Sequence, residues 1–164
     1  MLSPFLKKLL FVRQFLIDNG KIEILGQNQI MLPSGLLAEM QSIDKDKFYS
    51  VVKKHIQTSM QTYAKKMGTT SSGIIKSSQD IFETYGLGQF KLIKLDNTKK
   101  TAIVSISQSS LYSPKNKEEI LLEAALDGMF SFLFKTNIKV ESKANGKQSK
   151  QFIINKRWKK WEKT

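Results

Sequence analysis

One stretch of this chain decides most of what the rest must do. From Glu118 to Phe134 the residues follow a helical pattern, yet Ile120, Leu121, Leu122, Ala124, Ala125, Leu126, Met129, Phe130, Phe132 and Leu133 leave no wide polar face. A helix that is apolar all round is covered on more than one side, so this segment belongs at the centre of the fold. Its acidic first turn, Glu118 and Glu119, is what the helix dipole favours. In a chain of 164 residues, a second subunit would help to supply the cover.

The remaining elements are read around that helix. Ser3-Pro4 starts a helix with Leu6, Leu9, Leu10 and Val12 at helical spacing. Lys21–Leu25 alternates as a strand, Gly26-Gln27-Asn28 is a turn signal, and Gln29–Leu32 reads as the second arm of a hairpin ending at Pro33. Ser34 caps a short helix holding Leu36, Leu37 and Met40. Asp44 opens the clearest helix, through Phe48, Val51, Val52, His55, Ile56, Ser59, Met60, Tyr63 and Met67, and Gly68 ends it. A further helix is expected over Ile74–Tyr85. Strands follow at Gln89–Leu95 and Thr101–Ser107, and two more at Ile138–Ser142 and Gln151–Ile154 around a turn at Asn145-Gly146. Helices and antiparallel hairpins in this order predict an α+β fold. With three prolines, residues 1–155 read as one domain, its N-terminal helix and hairpin occupying 1–33, and residues 156–164 as a basic tail.

Composition closes off most chemistry. There is no cysteine, which excludes disulfides, thiolate metal sites, cysteine nucleophiles and S-acylation. With His55 alone, no zinc set is expected, and His55 itself reads as a satisfied, partly buried residue on an apolar helix face. Asp80, Glu83, Glu118, Glu119 and Glu123 sit where solvation or dipole compensation explains them. No catalytic residue, metal or cofactor is therefore expected. Gly86-Leu87-Gly88 follows a helix, so it reads as a helix C-cap entering a strand and not as a phosphate loop. Tyr63, Phe82, Tyr85, Phe90, Phe130 and Phe132 suit the lining of an apolar cavity, and equally a filled core.

Charge is concentrated at one end. Residues 135–164 hold ten cations against two anions, whereas 1–134 hold seventeen against twelve. The last residues, Lys156, Arg157, Trp158, Lys159, Lys160, Trp161 and Lys163, interleave cations with indoles. Such a tail can attract phosphates while its tryptophans stack on bases or settle at a lipid interface, or it can be a solvated terminus. The N-terminal helix has the Leu/Phe content and cations of an interfacial helix, but its apolar positions cover too much circumference, which favours subunit packing. Lys7, Lys8 and Arg13 break the apolar start, so no run reaches the roughly 18–20 residues that cross a bilayer. A cytoplasmic protein is expected.

The element order carries a family resemblance. Phe15–Pro33 with the Leu-rich helix after it, the long helix ending Lys-Lys-Met-Gly, Tyr85-Gly86-Leu87-Gly88 before paired strands, Ala124-Ala125-Leu126-Asp127-Gly128, and Val140-Glu141, Ala144-Asn145-Gly146 and Phe152 at the end resemble the 4-vinyl reductase domain family. That family shares its fold with small TRAPP vesicle-tethering subunits, and this chain resembles its stand-alone archaeal members over about residues 5–155. The resemblance implies an antiparallel sheet with long helices packed on one side, dimerisation through helices, and binding of a hydrophobic small molecule or a scaffold role rather than catalysis. Tyr63, Phe82, Tyr85, Phe90 and Phe130 would line the cavity, with Gly86, Gly88 and Gly128 allowing close packing. Many relatives carry cysteines near the last hairpin, where this chain has about Ser142 and Lys150, and certain TRAPP subunits an acylated cysteine where Met67–Ser72 offers none. Metal binding and lipid acylation there are thereby excluded. The expected function is a non-enzymatic homodimeric domain for a hydrophobic ligand or a partner protein. The alternative is a nucleic-acid, ribosome or anionic-membrane partner engaged through the tail.

Overall fold

The computed structural model describes residues 4–24, 26–67, 70–112, 119–144 and 149–157. The apolar helix, α5 (Ile120–Phe134), lies at the centre as its composition requires. Leu122, Leu126, Met129 and Phe130 are almost wholly buried, and so are the polar Asp127 and Ser131. Its cover comes from within the chain. On one side lies a four-stranded antiparallel sheet of β4 (Gln89–Asp96), β5 (Thr101–Ser107), β6 (Ile138–Ala144) and β7 (Ser149–Lys156), ordered β4-β5-β7-β6. On the other lies α3 (Lys45–Met67). A second subunit is thus not what covers α5.

The sheet is one-sided. Ala102, Val104 and Ile106 on β5, Phe152 and Ile154 on β7, and Ile138 and Val140 on β6 are buried, while the alternate residues of β5 are half-exposed. On β4 the register slips between Leu92 and Lys94, and Ile93 stands half out of the structure. The Asp96 carboxylate accepts from the backbone N–H groups of Thr98 and Lys99, which forms the turn into β5.

Local chemistry sets the helix ends. Asp44 accepts from the Lys47 N–H (3.0 Å) to start α3. Thr70 does the same for Gly73 at the start of α4 (Ser71–Thr84). At the end of α4 the Leu87 N–H donates to the Phe82 carbonyl and the Gly86 N–H to that of Glu83, with Gly86 at φ +71. That pair of bonds is a Schellman cap, which needs the left-handed residue a glycine supplies. Gly88 follows with its Cα against β5: a Cβ there would lie 2.7 Å from the Ser107 carbonyl oxygen.

The N-terminal third departs from expectation. After α1 (Pro4–Phe11) come three short strands, β1 (Phe15–Asp18), β2 (Lys21–Ile24) and β3 (Gln27–Gln29), which form a second antiparallel sheet in place of the expected hairpin. Gln27 and Asn28, read as turn residues, pair with Ile24 and Glu23. The expected arm Gln29–Leu32 is strand only at its first residue. Ser34 is the first residue of α2 (Ser34–Ile43), not its cap: Pro33 precedes the helix and no side chain bonds to its end. The turn expected at Asn145-Gly146 lies outside the described residues.

Two polar contacts lock α5 in place. Asp127, 1% exposed, takes the Tyr49 hydroxyl at 2.7 Å, the Ser131 hydroxyl at 2.8 Å and the Lys53 ammonium at 3.0 Å. Burial, and then the Asp127 carboxylate beside it, hold the Tyr49 phenol well above its ordinary pKa. At the helix start the buried Gln41 side chain of α2 accepts from the Leu121 N–H (3.1 Å), and Glu119 ion-pairs with Lys150 of β7. Glu119 is therefore not the solvated residue the sequence implied. Burial raises its pKa, and Lys150 opposes that shift without cancelling it.

Gly128 sets the distance between α3 and α5. A Cβ at that position would lie 2.5 Å from the Lys53 carbonyl oxygen and 3.0 Å from the Ile56 Cβ. Gly128→Ala should therefore lower stability by about 2 kcal/mol despite the alanine's better helix propensity. Gly35→Ala, in open space on α2, should be neutral or raise stability by about 0.5 kcal/mol. Urea midpoints measure both. Glu119 gives a pH signature. Since its folded pKa lies above the ordinary 4.5, the unfolded chain ionises first, and the stabilisation present below 4.5 is lost as pH rises through the folded value. The stability of the native chain relative to Glu119→Gln should therefore fall as pH is raised from 4.5, read as urea midpoints of both proteins across that range.

Candidate functional site

Two of the aromatic residues singled out in the sequence meet where α4 packs on β4. Phe82 on α4 and Phe90 on β4 pack edge-to-face with ring centres 5.3 Å apart, the geometry that aromatic quadrupoles favour. Gln79 of α4 donates to the Phe90 carbonyl (3.3 Å), and Ser78 touches Met60 of α3, fixing the helix against both neighbours. Phe82, Phe90, Tyr63 and Phe130 belong to one buried apolar cluster. Phe130 lies on the α5 side, stacked at an angle on Phe134. Phe132 is elsewhere: it lines an open cleft of about 320 Å³ with Gln61, Ala64 and Lys65.

Two tyrosine hydroxyls border this cluster. Tyr85, just past the end of α4, is 37% exposed, and its phenol lies near enough to that of Tyr63 to influence it. Tyr63, 5% exposed, donates to Gln27 of β3 at 3.4 Å. Burial raises both phenol pKa values, so both stay neutral donors through the physiological range. Next to Tyr85 in the chain, the Thr84 hydroxyl is buried and has no partner among the described residues. The Gly86 and Gly88 backbone, both at positive φ, carries the chain from α4 into β4. All seven residues expected at a ligand site are thus placed on neighbouring elements, with Tyr85 and Gly86 toward solvent and Phe130 deepest.

A second concavity was not anticipated. Lys45, Asp46 and Tyr49 of α3, Glu119, Ile120 and Glu123 at the start of α5, and Ser142 of β6 line an open cleft of about 380 Å³. Its sequence signal is weak, because residues more than seventy positions apart build it. Of the positions where the family pattern would place cysteines, Ser142 lines this cleft and Lys150 closes on Glu119. Among the described residues no three His, Cys, Asp or Glu side chains converge as a metal set. His55 is exposed, which corrects the expectation of partial burial: the α3 face against α5 runs through Lys53, Ile56 and Gln57. Of the tail, Lys156 and Arg157 are exposed at the end of β7, while Trp158, Lys159, Lys160, Trp161 and Lys163 lie outside the described residues. Among the described residues no helix is long and apolar enough to cross a membrane.

In sequence the chain matches no family model and no curated protein. In structure it is similar to the phenol-responsive sensory domain of the transcription activator PoxR, solved with phenol: TM-score 0.67, 12% identity, over 98% of this chain and 94% of that one. It is also aligned, at TM-score 0.47 and 11% identity, over 76% of this chain and 95% of a trafficking protein particle complex subunit 3 from Naegleria fowleri covalently bound to palmitic acid. The α+β fold implied by the resemblance to the 4-vinyl reductase domain family is the fold this chain has, that of the PoxR sensory domain.

Proposed function

We propose that this chain is a non-enzymatic binding domain for a small aromatic or similarly apolar molecule, held in the cluster of Tyr63, Phe82, Tyr85, Phe90 and Phe130. The observation that carries the reading is the fold shared over nearly the whole chain with a phenol-responsive domain, together with a buried aromatic cluster bordered by the Tyr63 and Tyr85 hydroxyls. Three features support it. Phe82 and Phe90 already meet edge-to-face, so a third ring can take the place of either contact. Tyr85, Tyr63 and the unpartnered Thr84 hydroxyl offer hydrogen bonds at one edge of the apolar wall, the pairing of an apolar pocket with few polar groups that small-molecule sites use. Gly86 and Gly88 give the segment between α4 and β4 backbone freedom that other residues lack. Binding opens the α4–β4 junction, the ligand's ring enters beside Phe82 and Phe90, and its hydroxyl joins Tyr63 in place of Gln27. Occupancy then stabilises the domain by mass action and links ligand concentration to the set of partners it holds.

Phenol is the probe for the test. Titration should raise the melting temperature in a saturable way, and calorimetry should give one site per chain. Tyr63→Phe keeps the ring and removes one hydroxyl, so phenol affinity should fall about tenfold, the worth of one buried hydrogen bond, with the free protein's melting little changed. No saturable shift with phenol, or equal affinity in Tyr63→Phe, contradicts the reading.

A second reading concerns the tail. We propose that residues 156–164 add a separate contact with a polyanion, a role favoured by the exposure of Lys156 and Arg157 and by the excess of cations after residue 135. Affinity for single-stranded RNA should fall steeply between low and moderate salt, and removal of residues 156–164 should abolish most of it. Binding that survives the deletion, or none at low salt, removes this role.

A further inference from the structure

The four-stranded sheet has two unlike faces. One packs on α5. On the other no outward residue is buried: those of the edge strands β4 and β6 are mostly exposed, and those of β5 half-exposed. Side chains alternate between the faces, so the register shows what this open face carries. Ser105 of β5 pairs with Lys91 of β4 on one side and Gln151 of β7 on the other, and Gln151 pairs with Lys143 of β6. Lys91, Ser105, Gln151 and Lys143 therefore form one row across all four strands. The next row is Lys94, Ile103, Ile153 and Glu141, with Lys139 beyond it against Asn155. The Ser105 and Ser149 hydroxyls, 3.2 Å apart, lie on this same face.

The face thus has lysines at both rims and hydroxyls, amides and two half-buried isoleucines between them. Its carboxylates are already engaged. Glu141 pairs with Lys139 at 2.7 Å, and Asp96 accepts from the N–H groups of its own turn. Three strand spacings of about 4.8 Å put the two lysine rims about 14 Å apart.

Charge and shape together define the partner. Lysines on two rims fit an anion with two charged edges and polar groups between them. No outward residue of these strands is aromatic, so the face lacks the rings that stack unpaired bases or anchor a protein at a lipid interface. A four-stranded platform is too broad to enter the roughly 12 Å major groove or the about 6 Å minor groove of B-form DNA. The minor groove of duplex RNA is wide and shallow, displays 2′-hydroxyls, and is bordered by a phosphate strand on each side.

We propose that the open face of the β4-β5-β7-β6 sheet is a docking surface for double-stranded RNA. Lys91 and Lys94 take phosphates of one strand and Lys139 and Lys143 those of the other, while Ser105, Ser149 and Gln151 hydrogen-bond to 2′-hydroxyls between them. The site requires neither a ligand in the aromatic cluster nor the tail after Lys156.

Fluorescence anisotropy of the full chain with a labelled RNA duplex of about 20 base pairs tests it. Affinity should fall steeply with salt and exceed that for a DNA duplex of the same sequence. Lys91→Gln combined with Lys143→Gln should weaken RNA binding about tenfold or more and lower the logarithmic salt slope by about 2. Lys47→Gln combined with Lys54→Gln removes the same charge from exposed positions on α3, and should cost no more than about twofold. Both variants should keep the native far-UV spectrum, since all four side chains lie outside the core. Absence of duplex binding at low salt, equal losses in the two double variants, or DNA bound as tightly as RNA overturns the proposal. A chain that ignores RNA but floats with phosphatidylserine vesicles overturns it too, and assigns the face to lipid. Removing residues 156–164 separates this site from the tail: the difference between the double variants should persist in the shortened chain. Its disappearance there overturns the proposal and leaves the tail reading standing.

Discussion

The seam between α3 and α5 is the contact on which the other layers depend. Two adjacent residues of α5 make it. Gly128 lets the backbones approach until a single Cβ would collide with the Lys53 carbonyl. Asp127 anchors the register through Tyr49, Lys53 and Ser131. A buried carboxylate is costly to desolvate and adds little net stability even when well paired. Breaking one of its partners, however, leaves a charge in an apolar helix. The pairing therefore selects one alignment of the two helices, and slipping α3 by a turn would strand Asp127.

Everything at the candidate site follows from that alignment. With α3 held on α5, Tyr63 joins Phe130 in the buried core, and Met60 meets Ser78, which sets α4. The Schellman cap at Gly86 then turns the chain so that Phe82 and Phe90, eight positions apart, meet edge-to-face. The Phe82–Phe90 contact lies where α4 packs on β4, with Tyr85 partly exposed beside it. The N-terminal third joins that core through Leu9 and Ile24 and is tied to it by Gln41 and Gln27, while most of its large apolar side chains stay exposed.

How far the sequence revealed this depended on where the information sits. The long helices and the four core strands were legible because each writes its own period: α3 through Val52, Ile56, Ser59, Met60 and Tyr63, and β5 through Ala102, Val104 and Ile106. Gly88 and Gly128 were readable as places of close approach and Gly86 as a helix cap, whereas at Gly86 the expected close packing is absent: a Cβ there would meet the Ser110 hydroxyl at 3.5 Å. The N-terminal sheet was not. Phe15-Leu16-Ile17 runs on from an apolar helix without a change of period, and strands of three or four residues with one buried side chain write almost no alternation. Asp127 stood out in an apolar helix, but Tyr49 is 78 positions away, and no spacing rule connects them. For the same reason Glu119 looked solvated, since Lys150 closes on it from a distant strand.

The claim that matters most is that the aromatic cluster, and not either open cleft, is where a small apolar molecule binds. Isotope-filtered nuclear Overhauser spectroscopy of the labelled protein with unlabelled phenol reads that location directly. The account predicts contacts from the phenol ring protons to the rings of Phe82, Phe90 and Tyr63. Contacts confined to Tyr49 and Ile120, or to Phe132 and Ala64, would put the ligand in one of the clefts and contradict it.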